Sequence, residues 1–374
     1  MCKKVHLDAP NVGELEKIHL NRAIDGGYVS SAGPFVSELE EKCARYLRTV
    51  KAVATNSGTS ALHVALHELG IGKGDEVIVP ALTFIATVNP VVYAGAAPVF
   101  ADVDIQTWNM DPRAVEEAVT DRTKAVIPVH LYGNPCDMDE INRIAEKHGL
   151  HVIEDAAESL GAKYKGVFTG TLGDLGCFSL NGNKTITAGG GGMVTGNDVQ
   201  RLDHIKLLIN QARDEQGYHA EVGFNYRMTN LQAAVGLAQF ERLGEFLARK
   251  RAFNKAYRDA LGHINGIRFQ EEYRGAESSF WFTCIIVEDE PARRELQKRL
   301  KDRGIPTRRI FPPVSELPPY RDCRFTGGGN SRCIYERGIC LPCSTLNTPE
   351  DIEYVCLTLK EFYHEGGFVC APVK

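Results

Sequence analysis

Through its first 155 residues the chain keeps repeating one unit: a short apolar run, a turn, then a stretch with helical spacing. The apolar runs at 52–55, 76–80, 98–101, 124–130 and 151–155 read as strands. Between the first two, residues 58–69 carry Ala61, Leu62, Ala65, Leu66 and Leu69 on one helical face and stop at Gly70. Asp111 followed by Pro112 opens another helix, and residues 137–148 form one that Gly149 closes. Ala156, Ala157 and Glu158 read as a further helix start after the strand at 151–155. Strands this apolar need cover on both faces. Joined by helices rather than hairpins, they predict an α/β fold with a largely parallel central sheet.

The pattern changes in the last third. A long helical stretch runs over 229–261, and its latter part has a charged face, as a connector leaving the main unit would. A strand at 280–287, a helix at 291–303 stopped by Gly304, and a Pro- and Gly-rich stretch at 306–329 predict a smaller α+β unit. The expected division is a large domain over residues 1–245 and a smaller one over 246–374.

Composition narrows the classes of function. A net charge of −5, with acids and bases interspersed, argues against nucleic-acid binding. There is no apolar stretch of about 18 residues, and the opening Met1-Cys-Lys-Lys-Val-His-Leu-Asp8 lacks an apolar signal core. The expectation is a cytoplasmic protein without membrane attachment. Eleven cysteines, an odd number spread along the chain, fit reduced thiols. Cys323, Cys333, Cys340 and Cys343 cluster, but their spacing suits buried small residues better than zinc, so no metal is expected.

Three segments could carry chemistry. Lys184 follows an apolar strand within a turn rich in Asn and Gly, ahead of four glycines, Gly189 to Gly192. Glycines there let a ligand approach the main chain, and a lysine so placed could be held over a flat anionic cofactor; the alternative is a solvated surface turn. Ser57, Gly58, Thr59 and Ser60 open a helix after a strand, which suits a phosphate or an ordinary cap. Asp155 ends a strand, where it could face a cationic nitrogen or cap the next helix. Each alone is ambiguous. Together, a lysine able to form a covalent tether, a carboxylate for a pyridine nitrogen and an anion-ready helix start make a constellation for pyridoxal 5′-phosphate (PLP).

The segments around Ser30, Ser57, Val79, Pro128, Ile153, Phe178 to Lys184, and Gly223 to Met228 resemble, in order, those of the DegT/DnrJ/EryC1/StrS nucleotide-sugar aminotransferases. The resemblance implies a fold-type I PLP-dependent transferase. It implies that Lys184 tethers the cofactor and moves protons, and that Asp155 pairs with the pyridine nitrogen. Gly58, Thr59, Ser60 and Ser179 would hold the phosphate. Phe84 would stack on the ring and Glu158 would lie near its hydroxyl, while Asn225 would reach into the neighbouring subunit's phosphate site. Tyr28, Ser30 and Asn183 would contact substrate. Taken without the family, Phe84 reads as core and Asn225 as a turn residue.

By the same resemblance the partners are L-glutamate and a nucleotide-linked 4-keto sugar, and the protein is a homodimer with shared active sites. The four glycines replace the Gly-Glu-Gly-Gly of many relatives and resemble the branch acting on UDP-2-acetamido-4-keto-2,6-dideoxyhexose. GDP-4-keto-6-deoxymannose is the alternative substrate, and a non-catalytic sensor of cofactor or sugar is the alternative of another class. Relatives often carry a histidine where this chain has Ser315 or Glu316, in a segment that touches substrate. Lys184 argues against the dehydratase subgroup, which has histidine there.

Overall fold

The computed structural model describes residues 5–365. The first four residues of the start read for a signal core, Met1 to Lys4, lie outside them, as do two of the cysteines, Cys2 and Cys370.

Eight strands form one sheet in the order Lys51–Thr55, Gly192–Gly196, Leu175–Ser179, His151–Asp155, Thr123–Val126, Glu76–Pro80, Ala97–Ala101 and Phe325–Thr326. Gly192–Gly196 runs antiparallel to both its neighbours, and every other pairing is parallel. Two reversals in succession leave Lys51–Thr55 pointing the same way as Leu175–Ser179, so Thr55, Ser179 and Asp155 end on one rim. Sequence reading missed Gly192–Gly196, since a strand that begins and ends in glycine has a weak signal. Glycine is required at its start: a Cβ on Gly192 would come within 2.4 Å of the Ser57 carbonyl oxygen.

Both faces are covered. Gly58–Glu68 and Val199–Leu208 pack on one side, burying Ala61, Leu62, Ala65, Leu202 and Ile205. Pro112–Ala118 and Met138–His148 cover the other with Val115, Ile141 and Ile144. Gly149 ends the second of these at φ 65°, a left-handed conformation that glycine adopts without penalty. Glu14–Asp25 and Pro34–Leu47, not read from the sequence, pack on Asn230–Glu241.

Four local expectations change. The segment after Asp155 forms turns rather than a helix. The strand expected over 124–130 closes at Val126, before Pro128, which has no N–H to give a ladder. The long helix is two, Asn230–Glu241 and Leu243–Leu261, separated at Arg242. Their apolar faces serve different clusters, Ala233 and Leu237 in one and Phe253, Tyr257 and Leu261 in another. The strand expected over 280–287 is confined to Thr283–Ile286 because Phe280 is left-handed (φ 48°).

Thr283–Ile286 belongs to a second, four-stranded sheet with Arg268–Phe269, Gly338–Leu341 and Arg308–Arg309. A cluster including Leu82, Trp108, Leu131, Tyr132, Trp281, Phe282 and Ile310 joins the two sheets. Phe325–Thr326 returns from this region to the outer edge of the large sheet, pairing with Ala97–Ala101. Next to it the Asp102 carboxylate accepts N–H bonds from Gly329, Asn330 and Ser331, at the start of the helix Asn330–Arg337. Of the clustered cysteines, Cys340 and Cys343 are buried as expected, whereas Cys323 and Cys333 are half-buried. Among the described residues no group of His, Cys, Asp and Glu could hold a metal, and no helix is long and apolar enough to cross a membrane.

Candidate active site

At the rim where Thr55, Asp155 and Ser179 end lies a cavity of about 340 Å³. The chain crosses there for a backbone reason. Parallel strands leave their carboxyl ends together, and the loops beyond them carry whatever faces a ligand. Ser57, Gly58 and Thr59 line the cavity after Lys51–Thr55, Thr83, Phe84 and Thr87 after Glu76–Pro80, Asp155 and Glu158 at and after the end of the central strand, and Ser179, Asn181, Asn183 and Lys184 at and after the end of Leu175–Ser179.

Asp155 is buried, with Oδ2 accepting from the Thr87 hydroxyl at 2.7 Å and Oδ1 from the Ala157 N–H at 3.1 Å. Thr87 is in turn 2.8 Å from Thr83. Burial raises the Asp155 carboxyl above the ordinary aspartate range, against the lowering effect of those hydrogen bonds, Lys184 and His130. Asp155 thus caps a turn, although no helix follows.

Lys184 points back into the same space. Its Nζ lies 3.5 Å from Glu158 Oε1 and 3.9 Å from the centroid of the Trp281 ring. Glu158 is buried as well, and burial raises its carboxyl, opposed by Lys184 and the Tyr132 N–H, which gives Oε2 a 2.7 Å bond. Trp281 is fixed at both ends: its indole N–H donates to the Asn183 carbonyl at 2.7 Å, and its own carbonyl accepts from the buried Lys250 at 3.1 Å.

On the other side of the cavity the helix Gly58–Glu68 presents its N-terminus. Ser57 caps it through a 3.1 Å bond from the Ser60 N–H. Gly58 is needed for closeness, since a Cβ there would come within 2.9 Å of the Ser179 Cβ. Unpaired N–H groups at the first turn and a positive dipole end favour an anion. Gly190 and Gly191 line the cavity too, with Gly191 at φ 151°. An anion cradle, a buried carboxylate and a lysine amine on one cavity fit the phosphate, ring nitrogen and carbonyl of PLP.

Comparison with known proteins agrees. The model of the DegT/DnrJ/EryC1/StrS aminotransferase family matches residues 10–360. The chain belongs to that family. It is 40% identical over 365 residues to the GDP-perosamine synthase of Escherichia coli O157:H7, covering 97% of this chain and 100% of that one. It is 37% identical over 293 residues to the UDP-2-acetamido-2-deoxy-3-oxo-D-glucuronate aminotransferase of Pseudomonas aeruginosa, covering 78% of this chain and 80% of the relative. Among solved structures, the PLP form of Streptococcus pneumoniae Spr1654 superposes with a TM-score of 0.92 at 27% identity, covering 97% and 99% of the two chains. The protein is a PLP-dependent aminotransferase acting on nucleotide sugars.

Of the residues that family resemblance singles out, Gly58, Thr59, Phe84, Asp155, Glu158, Ser179, Asn183 and Lys184 share the cavity. Phe84 is half exposed, with its ring 5.5 Å from Phe311. The Ser60 hydroxyl is turned away, donating to Asn56 Oδ1 at 2.6 Å. Asn225 is exposed outside the cavity of its own chain, its carbonyl accepting from Asn56 at 3.2 Å. Tyr28 and Ser30 are also exposed and outside it, their carbonyls accepting from Asn230. Sequence reading passed over Thr87, Trp281, Arg308 and Phe311. Thr83 and Thr87 have a helical i, i+4 spacing beside Phe84 that could have been noticed; Trp281 sits in an apolar run and reads as core.

Proposed function

We propose that the enzyme moves the amino group of L-glutamate to the C4 ketone of GDP-4-keto-6-deoxymannose. The observation that carries the transfer is the convergence of Lys184, Asp155 and the Ser57–Thr59 helix start on one cavity. When bound, PLP supplies a carbonyl that takes up and returns the amino group and a ring that accepts electrons. Lys184 would tether it, and the Lys184 Nζ would take a proton from the donor's α-carbon and give one to C4 of the sugar. Glu158, 3.5 Å away, balances the charge of that amine while it is free. Asp155 would keep the ring nitrogen protonated, and Thr87 aims its carboxylate. Gly58, Thr59 and Ser179 would hold the phosphate, and Phe84, which lines the same cavity, would cover one face of the ring.

The sugar assignment rests on the full-length similarity to a GDP-perosamine synthase. The glycines lining the cavity favour a second reading, a UDP-2-acetamido-4-keto-2,6-dideoxyhexose, and the Pseudomonas relative, named for a 3-oxo sugar, supports only its UDP and 2-acetamido groups. Assaying both sugars at equal glutamate and PLP decides between them. The expected result is a kcat/KM at least about tenfold higher for the GDP sugar, the scale of one lost polar contact; a clear UDP preference reverses the assignment.

The enzyme works as a homodimer in this reading, with Asn225 serving the phosphate site of the partner subunit. Asn225→Ala and Lys184→Ala then damage different sites. Mixed under subunit exchange, the two inactive homodimers should regain up to about a quarter of native activity, since one site in each heterodimer is intact. No recovery despite demonstrated exchange would return Asn225 to its own subunit.

A further inference from the structure

Both substrates enter the one cavity in turn, and in the reading above both are anions: the donor through carboxylates, the sugar nucleotide through its diphosphate. The charged side chains lining that cavity are Asp155, Glu158, Lys184 and Arg308. Lys184 rests on Trp281 beside Glu158 and is committed to the amine chemistry. Arg308 is the cation that remains.

Its backbone is fixed. Arg308 stands opposite Cys340 in the second sheet, and its guanidinium passes over the Phe282 ring at 5.1 Å from the centroid. Nη2 donates to Asp8 Oδ2, and the same oxygen accepts from Asn183 Nδ2 at 2.9 Å. That shared acceptor brings the guanidinium next to the residue preceding Lys184. The side chain is 33% exposed and pairs with Asp8 along one edge only. A guanidinium offers five N–H donors in a planar fork that matches a carboxylate with two parallel bonds. Asp8 takes one of them, and among the described residues Nε and Nη1 meet no hydrogen-bond partner.

We propose that Arg308 anchors a carboxylate of the amino donor, with Asp8, itself held by Asn183, fixing the guanidinium from behind. This rests on the aminotransferase reading and adds the donor's subsite to it. A bidentate carboxylate there would bring the donor's amine toward the point that Lys184 serves, and would discriminate amino acids from amines that lack a carboxylate.

Glutarate, a dicarboxylate with no amine to transfer, is the probe. Titrated by calorimetry into the PLP-loaded enzyme, it should bind Arg308→Gln at least about tenfold more weakly than the parent, the scale of a charged hydrogen bond. The donor half-reaction, followed alone by the change in cofactor absorbance, should show a similar rise in glutamate KM with kcat altered less than about threefold. The sugar half-reaction, started from the aminated enzyme, should move less than about twofold in KM. Arg308→Lys keeps the charge and the pair with Asp8 but loses the fork, so it should weaken glutarate about threefold and keeps the test readable if the glutamine variant fails to fold. Unchanged glutarate binding in a folded variant overturns the proposal. So does a KM rise confined to the sugar arm, which would assign Arg308 to the diphosphate. Failure of the native enzyme to aminate any nucleotide 4-keto sugar, with glutarate binding still dependent on Arg308, would sink the functional reading alone.

Discussion

The floor of the cavity and its opposite wall come from different parts of the chain and hold their side chains by different means. On the floor, Asp155 and Ser179 end strands of the large sheet and Ser57 follows another two residues on, so backbone ladders set their positions. The polar atoms there are tied to groups of the same rim, Asp155 to Thr87 and Ala157, Ser57 to Ser60. On the wall, Trp281, Arg308 and Phe311 lie in or beside strands of two to four residues, and their positions depend on stacking and long-range contacts. Tyr132 stacks between Trp281 and Phe311, and Asp8 reaches Arg308 from 300 residues away in sequence. The contrast suggests a division of labour: the floor performs the chemistry common to the family, and the wall, which can be altered without disturbing a ladder, selects what is bound.

That division can be broken by experiment, most sharply at Lys184. Lys184→Ala should lower kcat by at least about a thousandfold, while borohydride no longer fixes PLP to the peptide holding that position. Turnover within about tenfold of native would remove the floor's claim to the chemistry.

Asp155→Asn tests the floor at a buried charge. Activity should fall at least about a hundredfold, because the ring nitrogen loses its anionic partner. Stability should move the other way in the cofactor-free protein. Burial raises the folded-state pKa of Asp155, so its contribution to stability is complete below the ordinary carboxylate range and is lost as pH rises through the raised value. The variant should therefore melt about 1–3 °C above the parent near neutral pH, a gap that closes toward acid pH. A lower melting temperature at neutral pH would mean the carboxylate is repaid by its neighbours without the cofactor.

A wall residue should cost less. Trp281→Leu removes the ring beneath Lys184 and should reduce kcat about tenfold, with PLP affinity within about threefold. A loss as large as that of Asp155→Asn would show that the wall shares in the chemistry. Smallest of all, Ser60→Ala should change kcat less than about threefold while lowering the melting temperature by about 1–3 °C, because its hydroxyl serves Asn56 and the helix start. A large rise in the PLP dissociation constant would instead return Ser60 to the phosphate.

The same contrast explains what could be read in advance. The floor was legible because apolar runs ending in a special residue have a local signature: His151–Asp155 and Lys51–Thr55 are each visible within a dozen residues, and helix order implies parallel strands. The wall was not. Arg308 faces the cavity only because Gly338–Leu341 pairs beside it and Asp8 comes from the other end of the chain. Trp281 looks like one more apolar residue until Lys184 is placed above it. The helix read at Ala156 failed for a related reason, since Asp155 spends its capping bond on a turn that keeps its other oxygen on Thr87.

The outermost strand of the large sheet brings in the element of time. Phe325–Thr326 completes the pairing of Ala97–Ala101, and Thr326 bonds the Phe100 carbonyl from 226 residues further along. A ribosome adding about 5–20 residues per second leaves that edge bare for roughly 11–45 seconds after Phe100 is made. The nascent chain must therefore carry an open, apolar strand edge through most of its synthesis. Fragments that stop short of residue 325 should aggregate even though they contain the whole of the lysine loop.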